Sequence, residues 1–164
     1  MRFSAYIKGS RFSAYIKGSR CGALTDPRLR LALALLLAGG APAVEAAQPT
    51  LHIGPHTFQV EIADTPRERA QGLTGRSYLP ADNGMLFVFE RPGRYCFWMR
   101  DTPLPLSIAF IDATGRIASL ADMQPRTETR HCPSVDVRYA LEVWQGEFQK
   151  RGITPRMRVD GLPK

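Results

Sequence analysis

The segment from Trp98 to Thr102 places large apolar side chains directly beside a pair of opposite charges. An aromatic wall next to the guanidinium of Arg100 and the carboxylate of Asp101 could hold a small polar ligand or a peptide, because such sites combine apolar surface with a few fixed polar groups. In the simpler alternative, Trp98 belongs to the core, the two charges pair at the surface, and Thr102 caps a turn. The segment is the first candidate for a binding groove.

Glu142 is a second carboxylate that could take part in chemistry. With Asp101 it could form an acid/base pair of the kind that hydrolytic enzymes use, but the chain has no nucleophile elbow, phosphate-binding loop or dinucleotide-binding loop. Because Glu142 lies in an alternating stretch, it is more simply part of a polar strand face or an ion-pair partner of Arg76 or Arg100. We assign no catalytic residue. The candidate ligand-binding set is Trp98, Arg100, Asp101, Thr102, Arg76 and Glu142.

Histidine, cysteine and methionine side chains supply a set of soft metal ligands. The set consists of His52, His56, Cys96, Met99, Met123, His131 and Cys132. These ligand types suit copper or zinc, but neither a paired-cysteine motif nor a pair of histidines on a predicted helix is present. A soft-metal-binding protein is kept as an alternative function, while the sequence predicts no specific metal site and no other cofactor.

The positive charge of the chain is concentrated near its start. The 164 residues include 22 basic and 15 acidic side chains, which gives a formal charge of +7. Seven of the basic residues and two of the acidic residues lie in residues 1–46, so residues 47–164 carry a charge of only +2. A strongly basic domain would suggest nucleic-acid binding. Since the basic residues lie mostly outside the domain, we expect no nucleic-acid partner, and a small ligand or a protein partner stays unidentified.

An uninterrupted apolar run, Leu31–Ala38, follows two arginines and ends at glycines and a proline. Basic region, short apolar core and small residues are the order of a secretory signal peptide. The run is shorter than the roughly 20 residues needed to span a bilayer, although a retained anchor is the alternative. Residues 1–46 are therefore predicted to be a leader that is cleaved near Ala43 or Ala46. The product would be periplasmic or secreted, and would meet the membrane only through the leader during export.

Cysteine usage agrees with export. Cys21 lies in the leader, so the mature chain retains only Cys96 and Cys132. Two cysteines in an oxidising compartment are most simply joined to each other, whereas a pair of free buried thiols is the alternative. We predict a disulfide between Cys96 and Cys132.

Short strands separated by turn signals dominate residues 47–164, which are long enough for one compact core. Alternating or apolar runs predict strands at 57–62, 85–89, 108–112, 116–120, 139–144 and 157–159. Thr65, Pro66 and Glu68 predict a capped helix, and a second short helix is predicted over 147–150. We expect a single, mainly β domain: an antiparallel sandwich or barrel with two short helices.

The turns and the core give two further expectations. Arg91–Gly93 is predicted to be a turn, and Gln124–Asp136 is predicted to be a long surface loop. The predicted core positions are Phe87, Phe89, Phe97, Phe110 and Leu141.

Five segments of the mature chain form a recognisable pattern. They are Arg69–Leu73, Gly84–Phe89, Phe97–Thr102, Pro105–Asp112 and Tyr139–Glu142. In this order they resemble the family known as domain of unknown function 192, from about Phe58 to Val159. The resemblance implies a small, β-rich, often exported domain without an agreed activity. The family usually has methionine, asparagine and aspartate where this chain has Thr74, Asp101 and Ser107. A Gly-Asp pair before the last strand is replaced here by Arg156-Met157.

These observations lead to three functional hypotheses. The first is a non-catalytic exported binding or interaction module with a groove beside Trp98, Arg100 and Asp101. The second is an enzyme acting on a small or cell-envelope substrate, and the third is a soft-metal-binding protein. An apolar pocket with arginines at its rim, and without a carboxyl group of shifted pKa, would favour the first hypothesis. Two titratable groups within hydrogen-bond reach of each other in that pocket would favour the second.

Overall fold

The computed structural model describes residues 48–164. The predicted leader and its cleavage positions lie outside these residues. The elements are β1 (Thr50–Ile53), β2 (His56–Ala63), α1 (Pro66–Gln71), β3 (Asn83–Gly93), β4 (Leu106–Ile111), β5 (Ile117–Met123), β6 (Val137–Trp144), α2 (Glu147–Lys150) and β7 (Val159–Asp160). Within this range, neither helix has the length and apolar composition that crossing a membrane requires.

The seven strands form one sheet in the order β5-β4-β6-β3-β2-β1-β7. Five of the six neighbouring pairs are antiparallel, whereas β2 and β3 run parallel. The parallel pair arises because the chain returns to the start of β3 through α1 and the following loop, a connection that a tight hairpin cannot replace. The predicted mainly β class with two short helices is confirmed, and the mixed, mostly antiparallel sheet is curled into a half-barrel.

The two edges of the sheet meet at one end of this curl. An isolated antiparallel bridge joins Arg116, just before β5, to Arg158, just before β7. The amide of Val159 also donates a hydrogen bond of 2.8 Å to the carbonyl of Gly115. Since β5 and β7 are the two edge strands, these contacts occupy backbone groups that an open edge would offer to other chains.

Both faces of the sheet are buried. In β6, Leu141 and Val143 belong to a first apolar cluster that includes residues of β1, β2 and α2. Ala140 belongs to a second cluster, which is covered by the loop after α1 and by the segment before β4. β3 divides in the same way, with Leu86 in the first cluster and Phe87 in the second. Because successive strand residues point to opposite sides, these central strands are apolar on both sides.

Four of the five predicted core residues are buried, namely Phe87, Phe89, Phe110 and Leu141. Phe97 is only half-buried and packs against the second cluster. Its remaining exposure follows from its position on the wall of a cavity, described below.

The predicted start of the first helix is confirmed. The Thr65 hydroxyl accepts a hydrogen bond of 3.2 Å from the Glu68 amide, and the Glu68 carboxylate accepts one of 3.0 Å from the Thr65 amide. Pro66 is the first helical residue, and Gly72 ends the helix with a positive φ of 46°. A side chain at Gly72 would also crowd the ring of Phe87, because its Cβ would lie 3.2 Å away. Local sequence therefore determines where α1 begins and ends.

The predicted turn at Arg91–Gly93 is wrong. β3 continues to Gly93, where it pairs with Val137 of β6. The register between the two strands shifts between Val88 and Gly93. Proline is tolerated at such an irregularity because no regular ladder bond requires its missing N–H group.

The structure contains the predicted disulfide between Cys96 and Cys132, whose Cα atoms are 4.2 Å apart. Beside it, Phe97 and His131 exchange two backbone hydrogen bonds, of 2.9 and 2.8 Å. The amide of Met99 donates a third, of 3.0 Å, to the carbonyl of Thr127. The segment 95–99 is thereby fixed against the long loop that the sequence predicts at 124–136.

Replacing both disulfide cysteines, Cys96→Ser with Cys132→Ser, is expected to lower the free energy of unfolding by about 3–4 kcal/mol. The reason is that the bridge joins positions 36 residues apart and restricts the unfolded chain. Urea denaturation of the oxidised protein and of the double variant measures the difference. Ser134→Ala, at an exposed position two residues after Cys132, is the control, since it leaves the bridge intact. Equal unfolding midpoints for the wild type and the double variant would contradict the expectation.

Candidate functional site

A cavity of about 360 Å³ opens on the side of the sheet that carries the second apolar cluster. Its walls come from the end of α1 and the residues that follow, from β3, from the disulfide-bonded segment and from β6. The main lining residues are Arg69, Gln71, Leu73, Thr74, Phe87, Phe89, Tyr95, Phe97, Trp98, Thr102 and Glu142. We call this space the aromatic cavity. Its volume is in the range of small-molecule sites.

Five aromatic rings form most of the wall. Phe89 and Tyr95 are stacked with centroids 3.6 Å apart, and Phe87 meets Phe97 edge to face with centroids 4.9 Å apart. The fifth ring, Trp98, is 46% exposed and is therefore not a core residue. Phe87 and Phe89 belong to β3, whereas the other three rings belong to the segment 95–99, which contains Cys96 of the disulfide. The wall is consequently built from β3 and the segment that follows it directly in the chain.

Glu142 supplies the one carboxyl group among the described residues of the lining. It lies on central strand β6, between Met85 of β3 and Ile108 of β4. Because both faces of the sheet are covered, Glu142 is only 5% exposed. Removal of water disfavours the charged form, so burial raises the pKa of the Glu142 carboxyl to about 8. A carboxyl group on a cavity wall with such a pKa is a functional-site candidate.

Arg69 is the one basic side chain of the described lining, and it does not neutralise Glu142. Its guanidinium donates a hydrogen bond of 2.9 Å to the carbonyl of Val88 and another to the carbonyl of Asp64. The guanidinium also lies over the ring of Phe89, 5.5 Å from its centroid. Within residues 48–164, Glu142 has neither an ion-pair partner nor a hydrogen bond to its carboxyl group, and burial is the sole cause of its raised pKa.

Three of the six predicted ligand-binding residues line the aromatic cavity together, namely Trp98, Thr102 and Glu142. The other three lie outside its lining. Arg100 stacks on Trp98 at 4.2 Å and forms an ion pair of 2.9 Å with Glu128. Asp101 is exposed, and its backbone carbonyl accepts a hydrogen bond of 2.8 Å from Gly75.

Arg76 is bound to Glu61, not to Glu142. Hydrogen bonding to the Arg76 guanidinium lowers the pKa of the Glu61 carboxyl. The expectation that Glu142 pairs with an arginine or belongs to a polar strand face is therefore wrong. The physical reason is that β6 is covered on both sides, whereas the alternating pattern assumes that one side faces water.

Several cavity residues are absent from the predicted set. Phe87, Phe89 and Phe97 are predicted as core, because the same residue types line cores and apolar cavities. Arg69 begins the first segment of the family pattern, and Thr74, which follows that segment, occupies a position where the family usually has methionine. Thr74 is shorter than methionine, which leaves more room at that wall. The family segment was the sequence signal that could have placed this stretch in the site.

Metal and hydrolytic chemistry find little support in the described residues. No group of three or more histidine, cysteine, aspartate or glutamate side chains within residues 48–164 is placed to hold a metal ion. Both cysteine sulfurs within residues 48–164 belong to the disulfide. Ser107 donates a hydrogen bond to Asp122 and accepts one of 2.9 Å from the Gly146 amide, so its hydroxyl has a structural role.

Glu142 is expected to make the folded chain less stable as the pH rises. The carboxyl has an ordinary pKa of 4.5 and a folded pKa of about 8, so the folded state binds more protons between these values. The contribution to stability is fully present below pH 4.5 and is lost as the pH rises through 8, at up to about 1.4 kcal/mol per pH unit. Urea unfolding between pH 5 and 8, with Glu142→Gln for comparison, measures this slope.

The Glu142→Gln variant is expected to lack that slope and to exceed the wild type in stability at the alkaline end. Glu90→Gln, at an exposed position of β3, is the control and is expected to follow the wild type. Parallel pH profiles for the wild type and Glu142→Gln would show that Glu142 has an ordinary pKa.

Solved structures with the same fold come from two bacteria. A protein of unknown function from Novosphingobium aromaticivorans is 32% identical, with a TM-score of 0.65 over 68% of this chain and 83% of that chain. A protein from Sinorhizobium meliloti, described as a candidate transcription regulator, is 33% identical, with a TM-score of 0.65 over 68% of this chain and 90% of that chain. The fold is thus shared by proteins that are related in sequence.

A search of curated proteins finds no match to the chain. The family model DUF192, described as "Uncharacterized ACR", matches residues 49–161. The match includes every strand and helix of the described domain and confirms the resemblance found in the sequence. The chain belongs to the DUF192 family.

Proposed function

We propose that this chain is a binding module that takes a small ligand carrying an ammonium group into the aromatic cavity. The observation that carries the proposal is the position of Glu142, an unpartnered carboxyl on the wall of an otherwise largely aromatic space. A buried carboxyl without a cation is costly to ionise. A ligand that brings its own positive charge removes that cost and gains an ion pair shielded from water.

The free energy needed to ionise Glu142 is small at neutral pH. With a folded pKa of about 8, removing the proton at pH 7 costs about 1.4 kcal/mol. An ammonium ion in contact with the carboxylate in a poorly hydrated cavity offsets this cost. Binding a cation therefore releases the Glu142 proton, whereas a neutral ligand has no such requirement.

The aromatic rings add a second source of affinity for a cation. Aromatic faces attract ammonium and guanidinium groups electrostatically. Two rings of the lining already do so within the chain: Phe89 receives Arg69 at 5.5 Å, and Trp98 receives Arg100 at 4.2 Å. Rings of this wall can therefore contact a positive group, and the Glu142 carboxylate would favour a cationic ligand over a neutral one.

An enzyme that uses Glu142 as general acid or base is the second candidate function. The raised pKa favours it, because a carboxyl that titrates near neutral pH suits proton transfer. The described cavity lining has no second titratable carboxyl, histidine or cysteine thiol beside Glu142, whereas acid/base sites usually combine two groups. A binding module is therefore the better-supported proposal.

Choline and its neutral isostere 3,3-dimethylbutan-1-ol test the ligand class, because they differ mainly in charge. Isothermal titration calorimetry of the full, oxidised chain is expected to detect choline binding, with an affinity that rises about tenfold per pH unit from pH 5 to about 8. The same titrations in buffers of different ionisation enthalpy are expected to report the release of close to one proton per choline at pH 7.

Glu142→Gln is expected to weaken choline binding at least tenfold, while Glu90→Gln leaves it unchanged. Equal affinity for the neutral alcohol, or no binding of choline, would overturn the proposal. Choline binding with a pH-independent affinity would overturn the role given to Glu142.

We further propose that the chain works outside the cytoplasm after removal of its leader. The apolar run Leu31–Ala38 and the disulfide between Cys96 and Cys132 support this location. A module with an exposed ligand cavity would then meet small molecules or envelope components of the cell exterior.

Expression with the native leader in a bacterial host, followed by fractionation and intact-mass measurement, tests export. The product is expected outside the cytoplasm, with an N-terminus at Val44 or Ala47. Leu35→Arg, which interrupts the apolar run, is expected to keep the chain in the cytoplasm, whereas Ser10→Arg is expected to leave export intact. A full-length cytoplasmic wild-type product would refute the proposal.

A further inference from the structure

A second cavity, of about 370 Å³, shares no lining residue with the aromatic cavity. Its walls come from the turn between β4 and β5, from the start of β6 and from residues 158–164. Arg138 and Arg158 line it together with Asp160. Charged side chains thus form much of its lining, whereas the lining of the aromatic cavity consists largely of aromatic rings.

Arg138 carries a buried polar atom for which the described residues supply no hydrogen-bond acceptor. Its Nε atom is buried without a hydrogen-bond partner, the one such side-chain atom found in residues 48–164. The Arg138 guanidinium forms no ion pair within the same range and lies over the ring of Tyr139, 5.7 Å from its centroid. Buried polar groups in folded proteins nearly always have a partner, so this guanidinium retains hydrogen-bonding capacity that the described residues do not use.

The neighbouring groups do not satisfy Arg138. Asp160 accepts a hydrogen bond of 2.9 Å from the Nε atom of Arg158, which commits this carboxylate to the other arginine. The Tyr139 hydroxyl donates to the carbonyl of Pro163 over 2.7 Å and so holds the wall in place. After the pairing of Arg158 with Asp160, the side chains of Arg138 and Lys164, which both line this cavity, have no ion-pair partner within residues 48–164.

We propose that this cavity is a site for a small oxyanion, phosphate or carboxylate, that is bound by the guanidinium of Arg138. A guanidinium presents its N–H groups in a planar fork that fits two oxygens of such an anion. The anion would neutralise the local positive charge, and its binding next to the Nε–H group would change the environment of that group.

Titration of the full chain with inorganic phosphate and with acetate, at an ionic strength held constant with sodium chloride, tests the site. The readout is the NMR signal of the Arg138 Nε–H group, which is expected to shift and saturate with at least one of the two anions. Comparison of the two titrations shows whether phosphate or carboxylate is preferred. This measurement needs no variant and therefore does not depend on the folding of one.

Arg138→Lys keeps the charge but removes the planar fork, and is expected to weaken the binding at least fivefold. Arg67→Lys, at an exposed position of α1, is the matched control and is expected to bind like the wild type. Undiminished binding by Arg138→Lys would overturn the assignment to this guanidinium. A shift that does not saturate, or that chloride reproduces, would show that no oxyanion site exists.

Discussion

Burial of the central strand β6 on both faces is the constraint on which the rest of the site depends. β6 lies between β3 and β4 in the sheet, and apolar clusters cover it from either side. A polar side chain on such a strand cannot reach bulk water by pointing away from the core. Glu142 is therefore held beside a cavity, with its pKa raised to about 8 by the loss of hydration.

Several arginine side chains of the described residues are bound to groups other than Glu142. Arg76 is committed to Glu61, Arg100 to Glu128, and Arg69 to backbone carbonyls. Each of these pairs lies at least partly in water, where an ion pair contributes little to stability. Arg76 and Arg100 lie outside the lining of the aromatic cavity, and Arg69, which lies within it, is held by carbonyl groups.

The disulfide and the backbone bonds beside it hold the outer wall of this cavity. Phe97 and Trp98 follow Cys96 directly, and the bridge to Cys132 fixes that segment against a long loop. An aromatic wall on a free loop would collapse onto the apolar face of the sheet, because burial of its rings is favourable. The disulfide and the Phe97–His131 bridge instead fix the position of this wall relative to the long loop.

Features that depend on neighbouring residues can be read from the sequence alone, namely the capped start of α1 at Thr65 and most strand positions, and the pairing of Cys96 with Cys132 was predicted as well. The sequence did not predict β1, whose four residues are held by β2 and β7, nor the passage of β3 through Pro92. For the site, it predicted Trp98, Thr102 and Glu142 but not that Glu142 is buried and has no partner within residues 48–164. This follows from the tertiary structure, because the environment of a strand residue is set by what packs on each face of the sheet. That packing joins segments distant in the chain, and the pattern along one strand does not contain it.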